Sequence, residues 1–154
     1  MTRNFQEEYY ATHQCFLTKR SLYLLLWNVI DGEKGLQRLK PWLENIEGRA
    51  PQSPVIVIGT HTDLLPQAKR TEIQGELQEL FVKMYVFDSH RKYTYPRIYP
   101  QCQFVNVNSA KQMDGLREFI YEFAIQYRIQ STYGVVMLGW CVCVCVCVCV
   151  RACV

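Results

Sequence analysis

The sequence predicts an α/β domain of three parallel strands with helices on both faces. Two observations carry this. Three short apolar runs, Ser21 to Val29, Val55 to Gly59 and Phe104 to Asn108, are each closed within two residues by polar residues or glycine, as expected of strands buried on both faces. Between and after them lie longer segments with apolar residues at helical spacing. The order strand, helix, strand, helix, strand, helix implies right-handed crossovers and a parallel sheet covered by helices.

Ser21 to Val29 (SLYLLLWNV) is too short for a typical helix, and Asp31-Gly32 closes it. Leu36, Leu39, Leu43 and Ile46 then recur along Gly35 to Ile46, giving a helix with one face on the sheet. Pro41 lacks a donor N–H, so it bends this helix or starts a second segment. Gly48 and Pro51 are expected to end it. Leu64 to Met84 reads as the next helix, with Ile73, Leu77, Leu80, Phe81 and Met84 as its core stripe and Thr62 or Asp63 as its cap. Tyr85 to Pro100 is aromatic, basic and ends in prolines, which suggests an irregular surface insertion. Met113 to Ile129 is the last helix, its core face formed by Leu116, Phe119, Ile120, Phe123, Ala124 and Tyr127.

Two polar segments stand at the ends of predicted strands. Thr60-His61-Thr62-Asp63 follows Gly59, and Ser109-Ala110-Lys111 follows Asn108. In open parallel sheets ligands bind outside the carboxyl ends of the strands. A carboxylate on one loop, and a small residue followed by Lys on the next, suit a guanine base. Asp63 accepts from the N1 and N2 hydrogens, which adenine does not offer in that pattern. The Ala110 N–H donates to O6, and the alkyl stem of Lys111 covers the ring. Capping alone is the plain alternative for Asp63 and Ser109, and a solvated surface charge for Lys111.

The chain has 154 residues and a formal charge of +3. That length suits one domain with a real core, and the charge is too small to argue for nucleic acid. Arg91, Lys92 and Arg97 among Tyr93, Tyr95 and Tyr99 imitate a base-stacking patch, but an ordinary insertion accounts for them. Six of the eight cysteines lie beyond residue 140, leaving Cys15 and Cys102 in the body of the chain. Isolated cysteines, with no apolar leader near Met1, lead us to expect a cytoplasmic, reducing setting. His13 and His90 lack metal-spaced partners, so no metal site is expected.

Beyond these local readings, Gln6-Glu7-Glu8-Tyr9-Tyr10-Ala11-Thr12-His13-Gln14-Cys15-Phe16-Leu17 resembles the switch II region of Roc domains, the Ras-like GTPase modules of Roco proteins. Ser21 to Val29 resembles the strand that follows it. Lys40-Pro41-Trp42-Leu43 and Ile56-Val57-Ile58-Gly59-Thr60-His61-Thr62-Asp63 continue the likeness in register. It spans about residues 6 to 130 and is nearest to animal leucine-rich-repeat kinases, where a Roc domain precedes a COR dimerisation domain and a serine/threonine kinase. The resemblance implies a partial Ras-like P-loop GTPase fold over residues 1–130, with the first half of the domain missing. It implies GTP or GDP and Mg²⁺ as ligands of the parent protein, and Roc–COR pairing as its partner contact. It also implies nucleotide-binding roles for Thr60, His61, Asp63, Ser109, Ala110 and Lys111, with His61 stacking on the purine. The resemblance also implies that Gln6 stands at the catalytic position that orients the attacking water in Ras-like enzymes.

Departures from the family bear on activity. Asp-x-x-Gly normally precedes Gln-Glu, and here those key positions are Thr2 and Phe5. No GxxxxGK[ST] run occurs, so no phosphate cradle is encoded. The expectation is a truncated Roc domain that keeps base recognition, lacks phosphate and Mg²⁺ sites and is inactive alone. The strand at Ser21–Val29 is then expected to keep an open, association-prone edge. An interaction fragment that pairs with another Roc–COR chain is the alternative.

Residues 131–154 are expected to form no folded domain. Cys and Val alternate from Cys141 to Val150, as an alternating TG tract would encode in any frame, which suggests an incomplete gene model. Three physical readings compete with that one. As a strand, this tail puts its thiols on one face, a row able to bind soft metals. The apolar stretch 133–150, flanked by Arg128 and Arg151, approaches the length of a single membrane span. Its uncharged, Pro-free composition also favours aggregation.

Overall fold

The computed structural model describes residues 21–51, 53–86 and 98–131. The first apolar run forms strand β1, Tyr23–Asn28, and the second forms β2, Val55–Thr60. They pair in parallel from Tyr23 opposite Val55 to Asn28 opposite Thr60. Strand β3, Gln103–Phe104, joins the other side of β2, giving the order β1-β2-β3. Every residue of β2 is buried, which is why its sequence is apolar on both faces.

Alternation along the strands divides the core in two. Tyr23, Leu25, Trp27, Val55 and Val57 face one layer of helices. Leu22, Leu24, Ile56 and Ile58 face the other layer. Burying each of these aliphatic side chains contributes about 1.5–3 kcal/mol before chain entropy is counted. The first layer holds helices α1 (Gly32–Gln37), α2 (Lys40–Arg49) and α3 (Arg70–Phe81). They contribute Leu36, Leu43, Ile46, Leu77 and Phe81, and the link between α1 and α2 adds Leu39, as the spacing predicts. Ile73, Leu80 and Met84 pack at its margin. The second layer is helix α4, Ala110–Ser131, which lays Leu116, Phe119, Ile120, Phe123 and Ala124 on the sheet. The Tyr99 ring meets Phe119 and Phe123 edge-on at 5.1 and 5.4 Å.

Several predicted boundaries move. The first helical stretch is two helices broken at Arg38–Leu39, and Pro41 sits in the first turn of α2, where its missing N–H costs nothing. Gly48 does not end α2. The helix runs to Arg49, and Ala50 closes it by donating to the Ile46 carbonyl at 2.7 Å. The helix expected from Leu64 begins only at Arg70. Two 3-10 turns, Thr62–Leu64 and Gln67–Lys69, fill the gap around Pro66, because proline disfavours helical backbone in the residue before it. Asp63 and Thr62 therefore do not cap α3. Beyond Phe81 a π-helical turn, Val82–Val86, carries Tyr85 inward, and its hydroxyl donates to the Leu36 carbonyl at 2.7 Å.

The third strand is shorter and earlier than Phe104–Asn108. Ile98 already bridges Val55 in parallel, inside the stretch read as an insertion. Pro100 interrupts pairing, and Gln78 of α3 clasps the gap, donating to the Pro100 carbonyl and accepting from the Cys102 N–H, both at 2.8 Å. After Phe104 the Val105 N–H still reaches the Gly59 carbonyl at 2.9 Å. Asn106 to Asn108 then turn away from the sheet. The last helix starts three residues before the predicted Met113.

Gln6, His13, Cys15, His90, the cluster Arg91, Lys92, Tyr93, Tyr95 and Arg97, and the stretch 132–154 lie outside the described residues. Among the described residues no helix is long and apolar enough to cross a membrane. Among them, too, no three His, Cys, Asp or Glu side chains gather into a metal-binding group.

Candidate nucleotide-base site

Strand β2 delivers the first loop. Thr60, its last residue, is buried, and its hydroxyl donates to the Trp27 carbonyl of β1 at 3.0 Å. The same oxygen lies 3.0 Å from His61 Nδ1. A hydroxyl has one proton. With that proton committed to Trp27, the imidazole must donate from Nδ1, which leaves Nε2 of a neutral ring as an acceptor. His61 is exposed, and its backbone is left-handed, φ 63° and ψ 31°. A non-glycine residue there costs about 1 kcal/mol or more. The turn reverses the chain so that Thr62 is buried while Asp63 stands half-buried at the rim. Arg70, at the start of α3, secures this loop: one Nη2 donates to the Asp63 and Leu65 carbonyls, both at 3.3 Å.

Strand β3 delivers the second loop, which is tied into a closed turn. The Asn106 N–H donates to Gln112 Oε1 at 2.7 Å, and the Asn108 N–H donates to Asn106 Oδ1 at 2.8 Å. The Ser109 N–H donates to the Asn106 carbonyl at 3.0 Å. Ser109 is the residue before α4, and its carbonyl accepts from Met113 N–H at 3.0 Å. Its hydroxyl accepts a longer bond, 3.5 Å, from Gln112 N–H. Capping, the plain reading of Ser109, is therefore realised. Ala110 opens α4, so its N–H is one of the donors a helix leaves without an internal acceptor. Lys111 is exposed on the first turn.

The two loops meet. Asn108 Nδ2 donates to Asp63 Oδ2 at 3.4 Å, across 45 residues of sequence. That bond is long and exposed, so its weight is geometric more than energetic. It puts a carboxylate and a helix-opening N–H on one rim at the carboxyl end of the sheet. A carboxylate accepts two adjacent donors while an N–H serves a carbonyl. This is the complement of a ring edge that carries N–H, NH₂ and C=O. Thr60, whose hydroxyl is engaged inward, supports the loop from beneath. Reasoning from sequence missed Asn106, Asn108, Arg70 and Gln112. The apolar run Phe104 to Asn108 encloses Asn106 and Asn108, yet two asparagines flanking Val107 carry a turn signal.

The family model for "Ras of Complex, Roc, domain of DAPkinase" matches residues 4–63. Leucine-rich repeat serine/threonine-protein kinase 1 of Caenorhabditis elegans is 36% identical over 127 residues, covering 80% of this chain and 5% of that protein. The protein of the same name from Mus musculus is 31% identical over 132 residues, covering 84% of this chain and 7% of its own length. The chain belongs to the Roc family. Its three parallel strands with flanking helices are a partial Ras-like α/β GTPase fold. The Roc model ends at Asp63, so it includes the first loop and not the second. Both kinase relatives align over most of the chain, which nonetheless spans only 5% and 7% of their lengths.

Proposed function

We propose that the two strand-end loops form the guanine-reading part of a nucleotide site in a Roc module of a Roco-type protein kinase. Asp63 accepts from guanine N1 and N2, the Ala110 N–H donates to O6, and His61 and the Lys111 stem cover the faces of the ring. The observation that carries the reading is the meeting of Asp63 with the loop that opens α4. Its carboxylate caps no helix, which removes the plain explanation for an acid at this position.

In the parent protein GTP or GDP with Mg²⁺ is the ligand. This chain encodes no phosphate loop, and charge-assisted phosphate contacts are the stronger part of nucleotide binding. Binding by the chain itself is therefore millimolar or weaker, about 4 kcal/mol at most. Gln6, without a phosphate cradle, has no reaction to assist.

Ligand-observed NMR on the purified chain tests the reading. GTP or guanosine should compete with each other, and ATP should compete with neither. Asp63→Asn should abolish the guanosine signal, because an amide cannot accept both ring hydrogens. Equal response to guanine and adenine nucleosides sinks the proposal. A second reading, a fragment that pairs with a Roc–COR chain, is favoured by Tyr121 and Ile125. They are 69% and 40% exposed one turn apart on α4. Co-purification with a full Roc–COR protein, indifferent to Asp63→Asn and lost on Tyr121→Lys, would support that reading.

A further inference from the structure

We propose that Asn108 is a positioning residue that sets base selectivity by orienting the Asp63 carboxylate. The inference rests on the guanine reading of Asp63 given above. Arg70 fixes the Asp63 backbone through its carbonyl, but that bond leaves the side chain free to turn about its own torsions. Among the described residues, Asn108 supplies the hydrogen bond to the carboxylate itself, through Nδ2 to Oδ2. Asn108 in turn is presented by a locked turn. Gln112 on α4 holds the Asn106 N–H, and Asn106 Oδ1 holds the Asn108 N–H. A chain of hydrogen bonds thus runs from the first turn of α4 to the acid at the end of β2.

This arrangement leaves recognition intact. An ionised carboxylate offers about four acceptor positions on two oxygens. Asn108 occupies one position on Oδ2, so each oxygen keeps a lone pair for a base donor. The bond favours one orientation of the carboxylate plane over the others. A carboxylate held in plane rewards two parallel donors, guanine N1–H and N2–H, over one. A carboxylate free to rotate meets any single donor nearly as well, and selectivity falls before affinity does. Preorganisation of a polar group by a second hydrogen bond is a general route to such discrimination.

The test uses the full chain labelled with ¹⁵N, titrated with guanosine, with inosine (which lacks the N2 amino group) and with adenosine. Without any ligand, Asp63→Asn should shift the Asn108 side-chain amide signals; unmoved signals overturn the contact and the proposal. With ligand, the wild type should prefer guanosine to inosine. Asn108→Ala should erase most of that preference while the thermal midpoint stays close to wild type. Asn108→Asp, which faces one carboxylate with another, should weaken guanosine about tenfold, and Asn108→Gln should recover part of the preference. An unchanged guanosine-to-inosine ratio in Asn108→Ala, with binding still lost in Asp63→Asn, overturns the inference and leaves the guanine reading standing. No guanosine response in the wild type removes the reading and this inference together.

Discussion

Cys102 shows how a single residue here is governed by its surroundings. The thiol is buried, and it accepts the Trp27 indole N–H at 3.5 Å. Burial pushes its pKa up to about 11 from an ordinary 9.0, with the Trp27 bond and a backbone contact to Gly59 pulling the other way. Because the thiolate is the reactive form, Cys102 is inert near neutrality. The unfolded chain ionises first, so the stability tied to this site is whole below about pH 9 and is lost as pH rises through about 11. We expect peptide mapping after alkylation at pH 8 to find Cys102 unmodified in the native chain and modified after denaturation. Fast native labelling would contradict its burial.

The same scale explains why Glu47 departs from its usual behaviour. One of its carboxylate oxygens is buried with no hydrogen-bond partner among the described residues, and desolvation raises its pKa. Its stabilising contribution is full at acid pH and declines as pH climbs through the raised value. Glu47→Gln should accordingly raise the melting temperature at pH 7 and change it little at pH 4. A lower melting temperature at pH 7 would show that the charge is compensated.

Among the elements, β2 has least room for change. A side chain at Gly59 would place its Cβ 2.8 Å from Val29 Cγ1 and 2.9 Å from the Phe104 ring. Both neighbours sit where β1 and β3 run into their loops, so Gly59→Ala spreads the sheet beside the candidate site. Overpacking of this kind costs about 1–3 kcal/mol. Chemical denaturation should show a loss in that range with an unchanged slope, together with perturbed NMR signals for Asn106 to Ala110. Signals that stay in place would mean that the strands absorb the methyl group without moving the loop.

The elements also mark how far the sequence could be read. β1, β2 and most of the helical core stripes were legible, because burial on both faces leaves a strand continuously apolar and burial on one face gives a helix a period of 3.6; the Tyr127 side chain lies outside the described residues. β3 was not. Its apolar letters, Phe104, Val105 and Val107, suggested a full strand, yet two residues pair and Val107 is 49% exposed. A long-range clasp from Gln78 does the holding that continued pairing would otherwise do. The late start of α3 was hidden differently. Helical spacing continues back through Leu64, and only Pro66 argued for a break.

For the whole molecule, the proposed function carries a prediction about turnover. The two strand-end loops proposed to read the base are present, and a GxxxxGK[ST] run does not occur in these 154 residues. We expect purified chain, incubated with GTP and Mg²⁺, to release no phosphate above a buffer blank. Turnover that scales with protein concentration and survives repurification would overturn this.

From the sequence alone came the Roc assignment, the parallel sheet and the two strand-end segments that hold the candidate site. Those features are local, since periodicity and short polar motifs are written into neighbouring residues. Tertiary structure decided the rest. It freed Asp63 from any capping duty, turned Thr60 inward to anchor β1, and brought Asn108 to the acid from far along the chain. Hydrogen bonds between distant residues leave no period in a sequence, because they depend on where whole elements come to lie once the core has closed.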